Sequence, residues 1–265
     1  MHTDQAILTA LVRAPAESLA GCELSYVARA AIDVPRARRQ HDAYVRTLAE
    51  LGCRIEWLPP LPEHPDGVFV EDAAVVVPEV AVLTRPGVYS RRGEVPSLAA
   101  ALAARRRTVT VNAPGTLEGG DVLRIGRTLY VGDSARSNAA GVAQLAAALA
   151  PFGYLVRAVA MQGCLHLKSA ATFIAPDLLL ANPAWVDPAN FAVPRVIAVA
   201  PEEEFAANTL TIAGTTLVSA EYPLTRARLE AAGVRTRTLD VSELHKAEAA
   251  LTCLSVLLEP APSGA

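Results

Sequence analysis

Residues 68–85 read VFVEDAAVVVPEVAVLTR. Two apolar runs of strand length joined by a turn predict a β-hairpin. Two adjacent acids, Glu71 and Asp72, break the first run near its start. The same design recurs downstream. Residues 117–131 turn at Gly126-Arg127, residues 165–180 at Pro176-Asp177, and residues 209–219 at Gly214. Residues 252–258, TCLSVLL, supply one strand only, and the N-terminal run 7–12 is its expected partner.

Each hairpin is followed by a helix signal and then a further strand. Residues 36–51 carry apolar positions at helical spacing and stop at Gly52, a C-cap residue; RIEWLPP follows. Residues 97–106 precede TVTVNAP, and Asn138 can N-cap a helix to residue 150 ahead of YLVRAVA. Residues 222–232 end at Gly233 before VRTRTLDV, while the segment before RVIAVA has only a weak helix at 187–191. Equivalent markers (Glu71, Glu118, His166, Asn208 and Cys253) are separated by 47, 48, 42 and 45 residues. Five helix-strand-hairpin units of near-equal length imply a closed, roughly five-fold α/β ring. No linker or low-complexity stretch interrupts it, so residues 1–265 are expected to form one α/β domain with a ligand pocket at its centre.

Composition narrows the function. The chain has 24 Lys and Arg against 27 Asp and Glu, a net charge of −3, which argues against a nucleic-acid or anionic-membrane partner. No apolar run approaches the roughly 20 residues of a membrane span, and the N-terminal run stops at Arg13 with no small-residue cleavage site, so a cytoplasmic location is expected. The four cysteines sit far apart without a C-x-x-C pair and are expected to be free thiols. An apolar ring edge would allow a homodimer without demanding one.

The polar residues near the hairpin starts converge on the axis of such a ring: Glu71 and Asp72, Glu118 and Asp121, His166 and Lys168, and Cys253. Buried carboxylates are costly unless paired. Two or three of them suit a guanidinium, which takes bidentate carboxylate contacts. A cysteine beside a histidine suits a nucleophile with its acid/base partner. His166 taken alone reads equally as a satisfied core histidine, and Glu118-Gly119-Gly120-Asp121 is a weaker signal than Glu71-Asp72, since its glycines also suit a simple turn before the hairpin. Cys164-x-His166 resembles half a zinc site, but no second half follows at ligand spacing.

Eight stretches together resemble the dimethylarginine dimethylaminohydrolases, in the order found there and across almost the whole chain: PDGVFVEDAAVV (65–76), TRPGVYSRRGE (84–94), APGTLEGGDVL (113–123), YVGDSARSNAAG (130–141), LHLKSAAT (165–172), EEEFAAN (202–208), EYPLTR (221–226) and LTCLSV (251–256). The resemblance implies a five-bladed, pentein-like α/β propeller that hydrolyses N-omega-methylated arginines to citrulline and dimethylamine or methylamine. It implies Cys253 as nucleophile, His166 as general acid/base and Glu118 as the residue orienting His166. It further implies that Asp72 binds the guanidinium, with Glu71 and Asp66 shaping the same pocket. Arg91 and Arg136 would bind the substrate carboxylate, and the carbonyls of Leu24 and Ala247 its α-amino group. The segment 19–32 would be a mobile lid. No cofactor or resident metal is implied, and Cys253 with His166 is expected to form an inhibitory zinc site. The rival readings are an arginine deiminase acting on unmethylated arginine and a non-catalytic binder of arginine-like ligands.

Overall fold

The computed structural model describes residues 7–175 and 177–261. Five three-stranded sheets share one pattern: an inner strand pairs antiparallel with a middle strand, and the middle strand pairs parallel with an outer one. The second blade is Ala74–Val76, Val80–Leu83 and Arg107–Thr110. The third is Val122–Ile125, Thr128–Asp133 and Leu155–Ala160. The fourth is Ala171–Ala175, Leu178–Ala181 and Arg195–Ala198, and the fifth is Leu210–Ile212, Thr215–Ser219 and Thr236–Leu239. The first blade joins both ends of the described chain: Val256–Leu258 is inner, Thr9–Val12 middle and Arg54–Trp57 outer. The single C-terminal strand thus pairs with the N-terminal run, as its sequence predicts.

The parallel step in each blade needs a crossover, and a helix supplies it in four of them. These helices are Val34–Glu50, Val95–Ala103, Ala139–Leu149 and Pro223–Ala231. The fourth blade has only a 3-10 turn, Pro188–Asn190, where the helix signal is weak. Asn138 caps its helix by accepting from Gly141 N–H, as its position predicts. Two helices start about two residues earlier than their periodicity suggests, because Pro35 and Pro96 sit in their first turns, where a missing N–H costs nothing.

What closes the ring is apolar packing between successive blades. One cluster joins Leu11 and Val256 of the first blade to Ala81 and Leu83 of the second. Another joins Val80 and Val82 to Leu129 and Val131, and a third joins Leu123 and Tyr130 to Leu179 and Ala181. Leu178 and Leu180 then meet Val218, and Ile212 and Leu217 of the fifth blade meet Ala10 and Val12 of the first. The result is a five-fold pseudosymmetric α/β propeller. Among the described residues, no helix is long and apolar enough to cross a membrane.

One buried ring in this framework makes no hydrogen bond. His41 on helix Val34–Glu50 is fully buried against Tyr44 and Trp57, and neither of its nitrogens has a partner among the described residues. Burial lowers its pKa to about 4. In the unfolded chain histidine titrates near 6.5, so the unfolded state takes up the proton first as pH falls. Stability is therefore lost between about pH 6.5 and 4, at about 1.4 kcal/mol per pH unit. Replacing His41 with Leu should flatten that stretch of the stability profile in urea melts. Leu129, fully buried between two blades, should cost about 2–5 kcal/mol as Leu129→Ala in the same assay.

Candidate active site

At the head of four inner strands the chain makes one helical turn before it becomes extended. The turns are Val70–Ala73, Gly119–Asp121, Leu167–Ala170 and Leu251–Leu254. This corrects the expectation from sequence, which places Asp72, Glu118, His166 and Cys253 in the strands themselves. A strand would alternate these side chains between two faces. A turn aims them at the axis, while the strand beyond it keeps its apolar alternation.

The second turn requires glycine at two positions. A Cβ at Gly120 would lie 2.6 Å from His166 Nδ1 and 2.8 Å from Asp72 Oδ1. A Cβ at Gly119 would collide with the Glu71 carbonyl. The two glycines let the Glu118 turn pack directly on Asp72 and His166, so they do more than make a turn.

Asp72, Glu118 and His166 are all buried, and their ligand-capable atoms lie within 4.8 Å of one another. His166 Nε2 is 2.7 Å from Glu118 Oε2 and 3.9 Å from Asp72 Oδ1. The other Glu118 oxygen accepts from Gly87 N–H at 3.0 Å. Asp72 accepts from Gly120 N–H at 2.9 Å and from Arg91 Nη1 at 2.6 Å. Burial alone would deprotonate His166, but the carboxylates Asp72, Asp121 and Glu118 reverse this and raise its pKa to about 9. Burial would likewise raise Asp72, yet His166 and Arg91 hold it at about 2. Cys253 sits in the same pocket, and its environment differs: burial, with Glu71 and Asp72 nearby, pushes the thiol to about 12. The resting site therefore holds a thiol beside an imidazolium.

One pocket is lined by Cys253, His166, Asp72, Asp66, Arg91, Arg136 and Ala247, seven of the ten residues expected there. Burial raises Asp66 to about 6, and Asp66 accepts from Glu23 N–H. Arg136 donates to Ser25 Oγ at 3.1 Å and lies 3.5 Å from Glu118. Leu24 is half-buried in an irregular segment beside the pocket. Glu71 is elsewhere. It faces away from the pocket, pairs with Lys168 at 2.5 Å and accepts from Thr252 Oγ1 at 2.7 Å. Successive residues of a 3-10 turn point about 120° apart, so Asp72 and Glu71 line different cavities. Glu71 lines a second cavity of about 330 Å³ among the inner strands, with Thr172, Thr209 and Val256. Arg91 is in the pocket but already engaged: besides Asp72, it makes a bidentate pair with Glu94. Cys253 is not in the three-residue group that could hold a metal.

No family model matches the chain. It is 43% identical over 253 residues to the N(G),N(G)-dimethylarginine dimethylaminohydrolase of Streptomyces coelicolor, covering 94% of this chain and 96% of that one. The chain belongs to the dimethylarginine dimethylaminohydrolase family. Two solved structures of such enzymes superpose closely. One is a histidine-to-glycine variant carrying an S-methyl-L-thiocitrulline adduct, with TM-score 0.90 at 33% identity over 94% of this chain and 99% of that one. The other, from Pseudomonas aeruginosa, is a cysteine-to-serine variant complexed with citrulline, with TM-score 0.89 at 31% identity over 95% and 100%.

Two residues of this dimethylarginine dimethylaminohydrolase fold support the site in ways the sequence alone does not assign, because each acts by binding a site element. Asp121 is fully buried, accepts from Ser134 and Ser137 hydroxyls and from Leu167 N–H, and so fixes the turn after His166. Glu94 holds Arg91, and its i,i+3 spacing from Arg91 is the available signal. Glu118→Gln removes a charge in contact with His166, so the His166 pKa should fall by about one unit or more. An NMR titration of the imidazole Cε1 proton would show this, and an unchanged midpoint would remove Glu118 as the cause.

Proposed function

We propose that this chain hydrolyses N-omega-methylated arginines to citrulline and dimethylamine or methylamine. What carries the reading is the buried contact between Glu118 and His166, which lines one pocket with Asp72 and Cys253. Free Cys253 is a poor nucleophile as a thiol. A bound guanidinium cation supplies the positive charge that its carboxylate surroundings withhold, and so favours the thiolate. Asp72, ionised at neutral pH, receives two guanidinium N–H groups and turns the central carbon toward sulfur.

As the guanidinium binds, the Cys253 thiol gives its proton to solvent, and the thiolate sulfur attacks that carbon. His166, the imidazolium of the resting pocket, gives its proton to the departing amine, because a dialkylamide anion would leave too slowly. The bond formed is C–S and the bond broken is C–N, leaving a covalent thiouronium. The neutral imidazole then takes a proton from water, whose oxygen attacks the same carbon. The tetrahedral adduct then collapses: the C–S bond breaks, the adduct's hydroxyl proton passes to sulfur, and the carbonyl of citrulline forms. Glu118 stabilises the imidazolium at both ends of this cycle.

Arg91 enters through exchange. The substrate guanidinium takes its place on Asp72, and the substrate carboxylate takes the place of Asp72 on Arg91, beside Arg136. The pair with Glu94 persists throughout. Leu24 and Ala247 carbonyls receive the α-amino group, with Asp66 nearby. Neither the homodimer nor the cytoplasmic location bears on this chemistry, and both stay part of the proposal, as does the single domain over residues 1–265.

The test is citrulline release from asymmetric dimethylarginine and from arginine, measured side by side. Turnover of the methylated substrate should fall at least about a thousand-fold in Cys253→Ser. Preference for arginine would move the activity to a deiminase, and no citrulline from either would overturn the reading. kcat/KM, which reports the free enzyme, should decline about tenfold per unit above about pH 9, where His166 loses its proton.

A further inference from the structure

The cavity beside Cys253 measures about 20 Å³, room for about one water. An arginine-sized molecule reaches Cys253 only if part of the wall moves. None of the lining residues lies in a sheet; Asp72, Arg91 and Cys253 sit in short helical turns, and Asp72 and Arg91 are joined in a buried ion pair. The segment 22–33, which contributes Glu23, contains neither helix nor strand.

Side-chain bonds hold that segment, and two pocket residues make three of them. The carboxylate of Glu248 accepts from Ser25 N–H at 2.7 Å and from Tyr26 N–H at 2.8 Å, one oxygen each. Arg136 donates to Ser25 Oγ at 3.1 Å. Glu248 and Arg136 both line the pocket. The other side-chain ties are Glu23 N–H to Asp66, Ser90 Oγ to the Glu23 carboxylate, Arg29 to the Ala20 and Cys22 carbonyls, Lys246 to the Ala31 carbonyl and Asp33 N–H to Glu243.

Glu248 also has an unusual backbone. Its φ is +58°, left-handed in a residue with a full side chain, a conformation that costs roughly 1–2 kcal/mol. Glycine or asparagine would adopt it more readily. The strained glutamate gives the turn no stability. What it provides is a carboxylate facing two otherwise unpaired amides.

We propose that Glu248 is a latch: its carboxylate holds Ser25 and Tyr26 against the pocket, and release of those two amides opens the route to Cys253. The inference rests on reading this pocket as the catalytic site. The latch is reversible because both amides sit near the surface, where water replaces the carboxylate. Ser25 is tied to one anion and one cation of the pocket, so a zwitterionic amino-acid head group competes for both ties at once: its ammonium for Glu248 and its carboxylate for Arg136.

The test needs no substrate. Amide hydrogen exchange at Ser25 and Tyr26, and alkylation of Cys253 by iodoacetamide mapped by mass spectrometry, are compared in the full chain and in Glu248→Gly, Glu248→Asn and Glu248→Gln. The Gly and Asn variants should exchange and alkylate about tenfold faster or more, with melting temperatures at or above that of the unmodified chain because the φ strain is relieved. Gln keeps one carbonyl acceptor and should fall between. Rates within about twofold of the unmodified chain in all three variants would overturn the latch. So would an unchanged Gln variant beside faster Gly and Asn variants, since the relaxed backbone alone would then explain the effect. Failure of the unmodified chain to release citrulline would instead count against the proposed activity, and the exchange and alkylation rates would still decide the latch.

Discussion

The contact between His166 and Glu118, buried at the axis of the ring, is the interaction on which the site depends. An imidazolium and a carboxylate removed from water are stable only when every remaining donor and acceptor is met. Gly87 N–H meets the second Glu118 oxygen, Asp72 stands 3.9 Å from the imidazole, and Arg91 meets Asp72. Arg91 in turn requires Glu94. The chain of partners crosses from the second blade to the fourth, so the charges fix the relative placement of blades that the apolar clusters bring together.

The same demand explains the helical turns. An inner strand running straight into the axis would place an apolar side chain beside each charge. A single turn supplies a cluster of inward polar groups without disturbing the strand that follows. It also separates two cavities, with Asp72 lining one and Glu71, Lys168 and Thr252 lining the other. The glycines at 119 and 120 are the steric condition for that packing.

Much of this is legible in the sequence, for a physical reason. Apolar periodicity and caps report local structure, and the fold is one local unit repeated, so four hairpins, a lone closing strand and four crossover helices can be read directly. Asp72, Glu118, His166 and Cys253 stand out because polar residues interrupt apolar runs. The sequence misleads where two residues are adjacent but face apart, as with Glu71, and where a residue has a partner that only the fold supplies, as with Arg91 and Glu94. Glu248 gives no signal, since an acid in a polar loop looks solvated, and only the left-handed backbone and the two amides reveal its position.

The first blade has a consequence for assembly. Its middle strand, Thr9–Val12, pairs on one side with Arg54–Trp57 and on the other with Val256–Leu258. Nearly the whole chain separates the two halves of the antiparallel pair. During synthesis the early strand carries an open edge until the last strand emerges, and an open edge is a site for wrong pairing. Cys253 lies three residues before that closing strand. The step that seals the ring therefore also delivers the sulfur to the imidazolium, and an incomplete ring carries the acid without its nucleophile.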